Sequence, residues 1–258
     1  MRTLALAVLG LFATSSAYAA RATVSSQQDF KVGAHPTIIV DSSGGSVELA
    51  AGAAGSVHVD VQRQADSEDQ ARKLEVQLKQ EGNTIRISYK HKSFGWHDSG
   101  SVRFSITAPA DAKLDVDTGG GSVGARGFSG GIKVETGGGT IDIDSASGAV
   151  DLRSGGGGIE VRHMNGSVEV STGSGSVRVE GTLSGKNRIE TGGGSIHVAI
   201  PEASKLAVDA STGGGSAHND FGLASERHSG SFHGTIGDGS GGSLEIHTGG
   251  GSIRLAKL

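Results

Sequence analysis

The chain has no cysteine, only three prolines and one tryptophan. Missing thiols exclude disulfides, thiolate metal sites, iron–sulfur clusters, thiol catalysis and a lipoprotein anchor on cysteine. The scarcity of proline, with no Gly-X-Y period, excludes collagen. Aromatic residues are 4% of the sequence, which argues against a broad aromatic-rich core. Neither sign of charge dominates: 23 Lys and Arg stand against 27 Asp and Glu, a formal net of −4. That balance leaves no electrostatic footprint for nucleic acid or an anionic membrane. It is also too small to drive disorder, although Leu, Ile, Val and Phe make up little more than a fifth of the residues. The chain can fold, but around a thin core.

One apolar run stands at the start. Met1–Ala19 has the parts of a secretory signal: Arg2, the run Leu4–Phe12, and the small-x-small site Ala17-Tyr18-Ala19. The run is well short of the ~20 residues a spanning helix needs. The expectation is a leader cut after Ala19 and an exported mature protein with no transmembrane segment.

What the chain has in excess is glycine, 45 residues, of which 36 lie in Leu114–Leu258. They mark a repeat. Thr118-Gly-Gly-Gly-Ser122 recurs as Thr136-Gly-Gly-Gly-Thr140, as Ser154 with four glycines, and as Thr172-Gly-Ser-Gly-Ser176. Further copies are Thr191-Gly-Gly-Gly-Ser195, Thr212-Gly-Gly-Gly-Ser216 and Thr248-Gly-Gly-Gly-Ser252. The spacing is 18, 18, 18, 19, 21 and 36 residues. The last gap reads as two periods, with a degenerate copy around Ser229–Gly234. Fixed self-similarity of this kind means a repeat architecture.

A nine-residue beat runs inside each period. Leu114, Val123, Ile132, Ile141, Val150, Ile159, Val168 and Val177 keep it, each followed two residues later by another small or aliphatic side chain. Apolar-polar-apolar triplets read as short half-buried strands. Gly130, Gly148 and Gly166 mark a second set of corners, where glycine suits a positive φ. The expected fold is all-β: a β-solenoid or flattened β-roll with 18-residue coils and two short strands per coil. Its inner aliphatics are expected to be buried and Lys133, Asp142, Asp151, Glu160, Glu169 and Arg178 exposed. Arg126, Asp144, Arg162 and Glu180, spaced 18 apart, should form a mixed-charge ladder that serves register and solubility.

Residues 20–113 have a different grammar. Ile38–Val40, Val47–Leu49, Val57–Val61 and Val102–Ile106 alternate as strands. Lys73–Leu78 and Thr84–Tyr89 read as a hairpin, and Asp66–Arg72 as the one short helix, capped by Ser67 with Gln70. Phe94 and Trp96 would form a lid over the end of the stack. The expected division is a signal peptide at 1–19, a β-rich cap with the first coils at 20–113, and glycine-rich repeats at 114–258.

The leader, the stretch Ile106-Thr-Ala-Pro-Ala-x-x-x-Leu-x-Val116 and the Thr-Gly-Gly-Gly-Ser/Thr repeats together resemble the bacterial putative-adhesin family. That is an exported β-repeat domain of otherwise unknown function. Triple glycine here replaces the Thr/Ser-x-Asn/Gly-Gly-x corner frequent in it. The resemblance covers most of the mature chain and implies a cell-envelope or surface role. It carries over no binding residue.

Chemistry-bearing alternatives fare poorly on the residues. A calcium roll needs an acid in every turn, but its slots hold Gly124, Lys133 and Arg178 beside Asp142, Asp151, Glu160 and Glu169. Hexapeptide acyltransferase coils need a six-residue beat, and Ser129 and Glu135 break it. An ice-binding face would want Thr-x-Thr on every strand. The enzymatic rival is a carbohydrate-active β-helix using Asp142, Asp144, Asp151 and Glu160. Asp142 and Glu160 would stack at the ~4.8 Å strand spacing, near the carboxyl separation of a retaining glycosidase. No long loops surround them to build a cleft. His218, His228 and His233 fall in one irregular segment without a spacing that fixes three metal ligands, and no Ser-His-Asp set stands out.

The reading is therefore a non-enzymatic, exported cell-envelope protein, periplasmic or at the surface, with an adhesin-like scaffold for a protein or polysaccharide ligand. No catalytic, cofactor-binding or metal-binding residue is assigned, and no cofactor is expected. An envelope-stress accessory role is a third reading. At the C-terminal end Ile253 and Leu255 are expected to form the last strand of the stack. Its edge would be covered by Phe221–Gly242, through Phe221 and Phe232, or would pair with a second copy.

Overall fold

The computed structural model describes residues 21–90, 100–225 and 230–258. The leader, Phe94, Trp96 and His228 lie outside them. In chain order the first strands are β1 (Ala22–Lys31), β2 (Thr37–Ser42), β3 (Ser46–Gly52) and β4 (Ser56–Ala65), followed by the short helix α1 (Glu68–Arg72). Then come β5 (Val76–Glu81), β6 (Thr84–Tyr89), β7 (Ser101–Pro109), β8 (Lys113–Thr118) and β9 (Val123–Arg126). The regular repeats supply β10 (Ile132–Thr136), β11 (Ile141–Asp144), β12 (Ser147–Ser154), β13 (Ile159–Thr172), β14 (Val177–Leu183), β15 (Gly185–Thr191) and β16 (Ile196–Ile200). The last are β17 (Ala207–Thr212), β18 (Ala217–Asn219), β19 (Ala224–Ser225), β20 (Ser231–Thr235), β21 (Gly242–Thr248) and β22 (Ile253–Lys257).

The protein is all-β, and its repeats stack in parallel. Ile132 pairs in register with Leu114 on one side and Val150 on the other; Ile141 pairs likewise with Val123 and Ile159. Residue i therefore lies beside i+18. Two parallel ladders result. One runs β6-β2-β8-β10-β12-β13-β15-β21-β17, the other β7-β3-β9-β11-β13-β14-β16-β22-β18, with the long β13 bending from one into the other. At the N-terminal end the pairing turns antiparallel: β1 on β4, β4 on β7, and β5 on β6. The strand β1 is not legible as one in the sequence, because most of its residues are exposed on both faces. Ser67 caps α1, accepting from the Gln70 amide.

The nine-residue beat is the core. Ile132, Ile141, Val150, Ile159, Val168 and Val177 are each at most 3% exposed. Of their neighbours, Lys133, Asp142, Glu169 and Arg178 are exposed, whereas Asp151 and Glu160 are half-buried. Among the described residues, the buried polar side chains are the hydroxyls Ser42, Thr118, Thr136, Ser154, Thr172, Thr191 and Thr248, and Asn187. Every one of these hydroxyls opens a corner. Thr172 shows the pattern: its Oγ1 donates to Gly157 O of the neighbouring coil at 2.9 Å and accepts from Gly175 N–H in its own corner at 3.4 Å. Thr136, Ser154, Thr191, Thr212 and Thr248 repeat both bonds.

The triple glycines owe their place to crowding and not to a left-handed backbone. None of Gly119, Gly120, Gly121, Gly137, Gly138 and Gly139 has a positive φ. A Cβ on Gly137 would stand 2.3 Å from Gly119 O, and one on Gly139 would stand 2.0 Å from Gly121 O. The middle glycine, Gly138, meets nothing within 4 Å. This explains why Ser174 can take the equivalent place two coils on. The single-glycine corners do match the positive-φ expectation at Gly148 and Gly166, with φ of 87° and 144°.

Two expectations about the C-terminal end are overturned. The strand β22 is not the last of its ladder: it lies between β16 and β18, as β21 lies between β15 and β17. The corner at Thr248 is thus inserted between those at Thr191 and Thr212. Among the described residues the 36-residue gap also holds no degenerate coil. The chain turns back instead, and β20 pairs antiparallel with β17. A coil from the chain's end fits there because stacking reads only the corner and strand pattern, which Leu244–Leu255 keeps intact. Phe232 is fully buried at this end and Phe221 half-buried. Phe232 lies opposite Ala210 of β17, and Phe221 has Lys257 Nζ 5.6 Å from its ring centre, so neither covers a free edge of β22.

Asn187 occupies a slot that aliphatic residues fill in the neighbouring coils. Its Oδ1 accepts from Val168 N–H at 3.0 Å and its Nδ2 donates to Ser243 O at 3.0 Å, tying β13 to β21 through β15. It sits where the 19-residue spacing disturbs the ladder.

These contacts set a graded series for urea melts. Gly139→Ala should cost more than about 2 kcal/mol through backbone displacement, and Gly138→Ser should stay within about 0.5 kcal/mol. Thr172→Val should cost about 1–3 kcal/mol, because it strands a buried carbonyl and amide. Equal costs at Gly138 and Gly139 would contradict the crowding explanation.

Candidate functional site

The corner-following strands β3, β9, β11, β13, β14, β16 and β22 present their outward residues on one face. Small hydroxyl residues form one column there: Thr140, Ser176, Ser195 and Ser252, interrupted by Gly158. Two residues further along each strand stand Asp142, Glu160, Arg178, His197 and Arg254, in register from strand to strand. Between these columns runs a trough of about 610 Å³. A second hollow of about 410 Å³, lined by Glu48, Gly124 and Arg126, shares Thr140 and Asp142 with it and extends it towards the N-terminal end.

The sequence-predicted carboxylates are only partly united. Asp142 and Glu160 are strand neighbours, as the period requires. Asp144 is on the same strand as Asp142, but Asp151 lies on the other ladder, beside Lys133 and Glu169. Arg162 lies between the first two: its guanidinium is 2.8 Å from Asp142 and 3.0 Å from Glu160. The hydrogen bond and charge of Asp142, with those of Glu160, hold the guanidinium pKa above its ordinary value. A glycosidase acid needs the opposite, a carboxyl kept protonated by an apolar or anionic setting. The arrangement is an ion-paired surface cluster.

The predicted vertical ladder is also modified. Asp144 is in register with Arg126 and Arg162, yet its nearest partner is His163, with Nδ1 2.7 Å from Oδ1. Arg162 reaches diagonally to Asp142, while Arg178 turns to Glu180 on its own strand at 2.6 Å. Side chains longer than the strand spacing choose among several partners, so an 18-residue period alone does not fix the pairs.

The histidines do not converge. His218 contacts Asp220 at 3.2 Å and stands in register with Arg254, while His233 is opposite Asp209 and Ala224. Among the described residues no three His, Cys, Asp or Glu are grouped to hold a metal. On the other ladder Ser211 Oγ lies 2.9 Å from His247 Nδ1, a contact that the sequence reading missed. Glu190 is in register with His247, but its carboxylate is held by Arg188 at 2.6 Å. Among the described residues no acid orients the imidazole, so there the pair lacks the third member of a catalytic relay.

The sequence reading also missed Arg178, His197 and Arg254 as a group. Part of the signal was available: one residue after the leading aliphatic of successive coils, the charge changes from Asp142 and Glu160 to Arg178 and His197, whereas Arg254 joins them only through the spatial order of the coils. Burial, then the charges of Arg178 and Arg254, push the His197 imidazole below its ordinary pKa. Asp144 is held below the usual carboxylate range, first by its hydrogen bond to His163. A depressed acid contributes stability above its unfolded pKa and loses it as pH falls through the folded one. Accordingly, His163→Ala should return Asp144 to the ordinary range in a carboxyl NMR titration. An unmoved titration curve would assign the depression to another neighbour.

Among the described residues no helix is long and apolar enough to cross a membrane. The chain is similar to a crystal structure of a putative cell adhesion protein from Clostridium sporogenes, at 16% identity. That alignment covers 91% of this chain and 100% of the other, with a TM-score of 0.43. A putative adhesin from Bacteroides fragilis matches at 15% identity over 90% of this chain and 97% of its own, with a TM-score of 0.45. A putative lipid binding protein from Parabacteroides distasonis matches at 11% identity over 90% and 96%, with a TM-score of 0.30. No curated protein matches the sequence. The Toastrack DUF4097 family model matches residues 113–256, more than half of the chain, and the protein belongs to that family.

Proposed function

We propose that the protein is exported and serves in the cell envelope as a non-catalytic binding scaffold, with the trough on the β11–β22 side as its binding face. The observation that carries this reading is the state of Asp142 and Glu160, the carboxylates in register on β11 and β13. Arg162 neutralises both Asp142 and Glu160, and the two side chains remain about half exposed. A site of that kind, open to solvent and held by a guanidinium, does not shut water away from its carboxylates. The leader-like Met1–Ala19 supports export. Parallel coils stacked on a buried hydroxyl ladder supply the rigidity on which a preorganised surface depends.

In the same reading, residues 20–113 close one end of the stack and carry its first coils, and 114–258 form the repeats. The antiparallel strands β1, β4 and β7 support this, since parallel coils cannot continue past them. No catalytic, cofactor-binding or metal-binding residue is assigned.

Cell fractionation with an antibody to the mature chain tests export, and an assay of reducing ends released from envelope or plant polysaccharides tests the absence of catalysis. The expected result is protein in the periplasmic or surface fraction and no release. Retention in the cytoplasm, or release abolished by Asp142→Ala, would overturn the proposal.

A further inference from the structure

Charge is not spread evenly along the trough. Its N-terminal part carries Asp142 and Glu160, and its C-terminal part carries Arg178, His197 and Arg254 on the adjacent strands β14, β16 and β22. At ~4.8 Å per strand the two arginines stand about 10 Å apart at their Cα atoms, with His197 midway. Nearby acids thin out on the same strands. Where β11 has Asp144 and β14 has Glu180, β16 and β22 have the buried alanines Ala199 and Ala256. Arg178 is paired with Glu180, and Arg254 with Asp220 at 3.3 Å. Each guanidinium has five donors, so donors remain for a ligand. His197 is half-buried and has no hydrogen bond or ion pair among the described residues.

We infer that this end of the trough is a subsite for a carboxylate-bearing saccharide. The inference rests on the reading of the trough as the binding face and names its ligand class. Arg178 and Arg254 would hold the carboxylate from two sides, with His197 beneath it. The hydroxyls of Ser176, Ser195 and Ser252 run beside the cations at the same spacing and suit the hydroxyl groups of a sugar chain. The trough continues over the neutral column at Gly158 and Thr140, giving a linear oligosaccharide about five strands of length. A lipid surface fits less well, because its headgroups would engage the cations but leave the column of hydroxyls beside them unused. The half-buried imidazole sits between two guanidiniums, with Glu180, Asp220 and His218 the remaining titratable neighbours. Burial first, and then the two guanidiniums, keep it neutral; a bound carboxylate offsets the guanidiniums' repulsion, so affinity rises as pH falls.

Calorimetry with short oligogalacturonate, using the uncharged galactose oligomer and phosphatidylglycerol vesicles as further arms, tests the subsite. The acidic oligomer should bind and the neutral one should not. The Arg178→Gln/Arg254→Gln double variant should bind at least about tenfold more weakly. His197→Gln should abolish the tightening between neutral and mildly acidic pH. Because all three side chains lie on the surface, unchanged urea melts separate lost binding from lost fold. Failure of the acidic oligomer to bind, equal binding of the neutral oligomer, undiminished affinity in the double variant, or binding to vesicles alone would overturn the subsite. Those outcomes leave the scaffold reading standing, whereas turnover of either oligomer would overturn that reading instead.

Discussion

The spacing between neighbouring coils at the glycine corners is the constraint on which the rest depends. Backbone runs over backbone there, so the first and third corner positions have no room for a Cβ. Gly139 over Gly121, Gly157 over Gly139 and Gly175 over Gly157 repeat the same approach of about 2 Å between an added Cβ and a carbonyl oxygen. A buried hydroxyl then satisfies the groups that the turn leaves over, one carbonyl from the coil beside it and one amide from its own corner. An unsatisfied buried polar group costs about 1–3 kcal/mol, so the Thr or Ser that opens each corner is as constrained as its glycines. The aliphatic ladders fill the interior that these corners define.

The outer face follows from the same constraint. Close, regular coils put every outward residue one strand spacing from its equivalent, and long loops do not interrupt the column. Charges therefore meet their neighbours at a distance that arginine spans easily. Arg162 can reach Asp142 across one strand while also contacting Glu160. The trough is bounded by small hydroxyl side chains on one side and longer polar ones on the other. Such a surface suits extended ligands and offers little shelter for a transition state.

The period, the strand positions and the buried aliphatics were legible in the sequence because side-chain alternation and corner spacing are local properties. Val150 and Ile159 sit inward for the reason their spacing suggests. Spatial order was not legible: the Thr248 corner carries the same pattern as its neighbours, and nothing local says that it is inserted before the Thr212 corner. The crowding behind the triple glycines was not legible, although Ser174 in the middle position already showed that this slot tolerates a side chain. Asn187 was the readable irregularity, a polar residue in a slot filled by aliphatics elsewhere. For the site, the stacking of Asp142 on Glu160 was legible, but the diagonal reach of Arg162 depends on rotamers. The cluster of Arg178, His197 and Arg254 draws on strands distant in sequence and needed the spatial order first.

The central claim is that the corners stack at backbone contact, with the C-terminal coil inserted out of chain order. Having no cysteine of its own, the chain can be tested directly by paired cysteines at the open middle glycines. Neighbouring corners hold these positions within the ~4.4–6.8 Å Cα separation that a disulfide needs. Gly193→Cys with Gly250→Cys should oxidise to a disulfide readily, as should Gly250→Cys with Gly214→Cys, whereas Gly193→Cys with Gly214→Cys should remain reduced. A ready Cys pair at 193 and 214, with none at 193 and 250, would contradict the account.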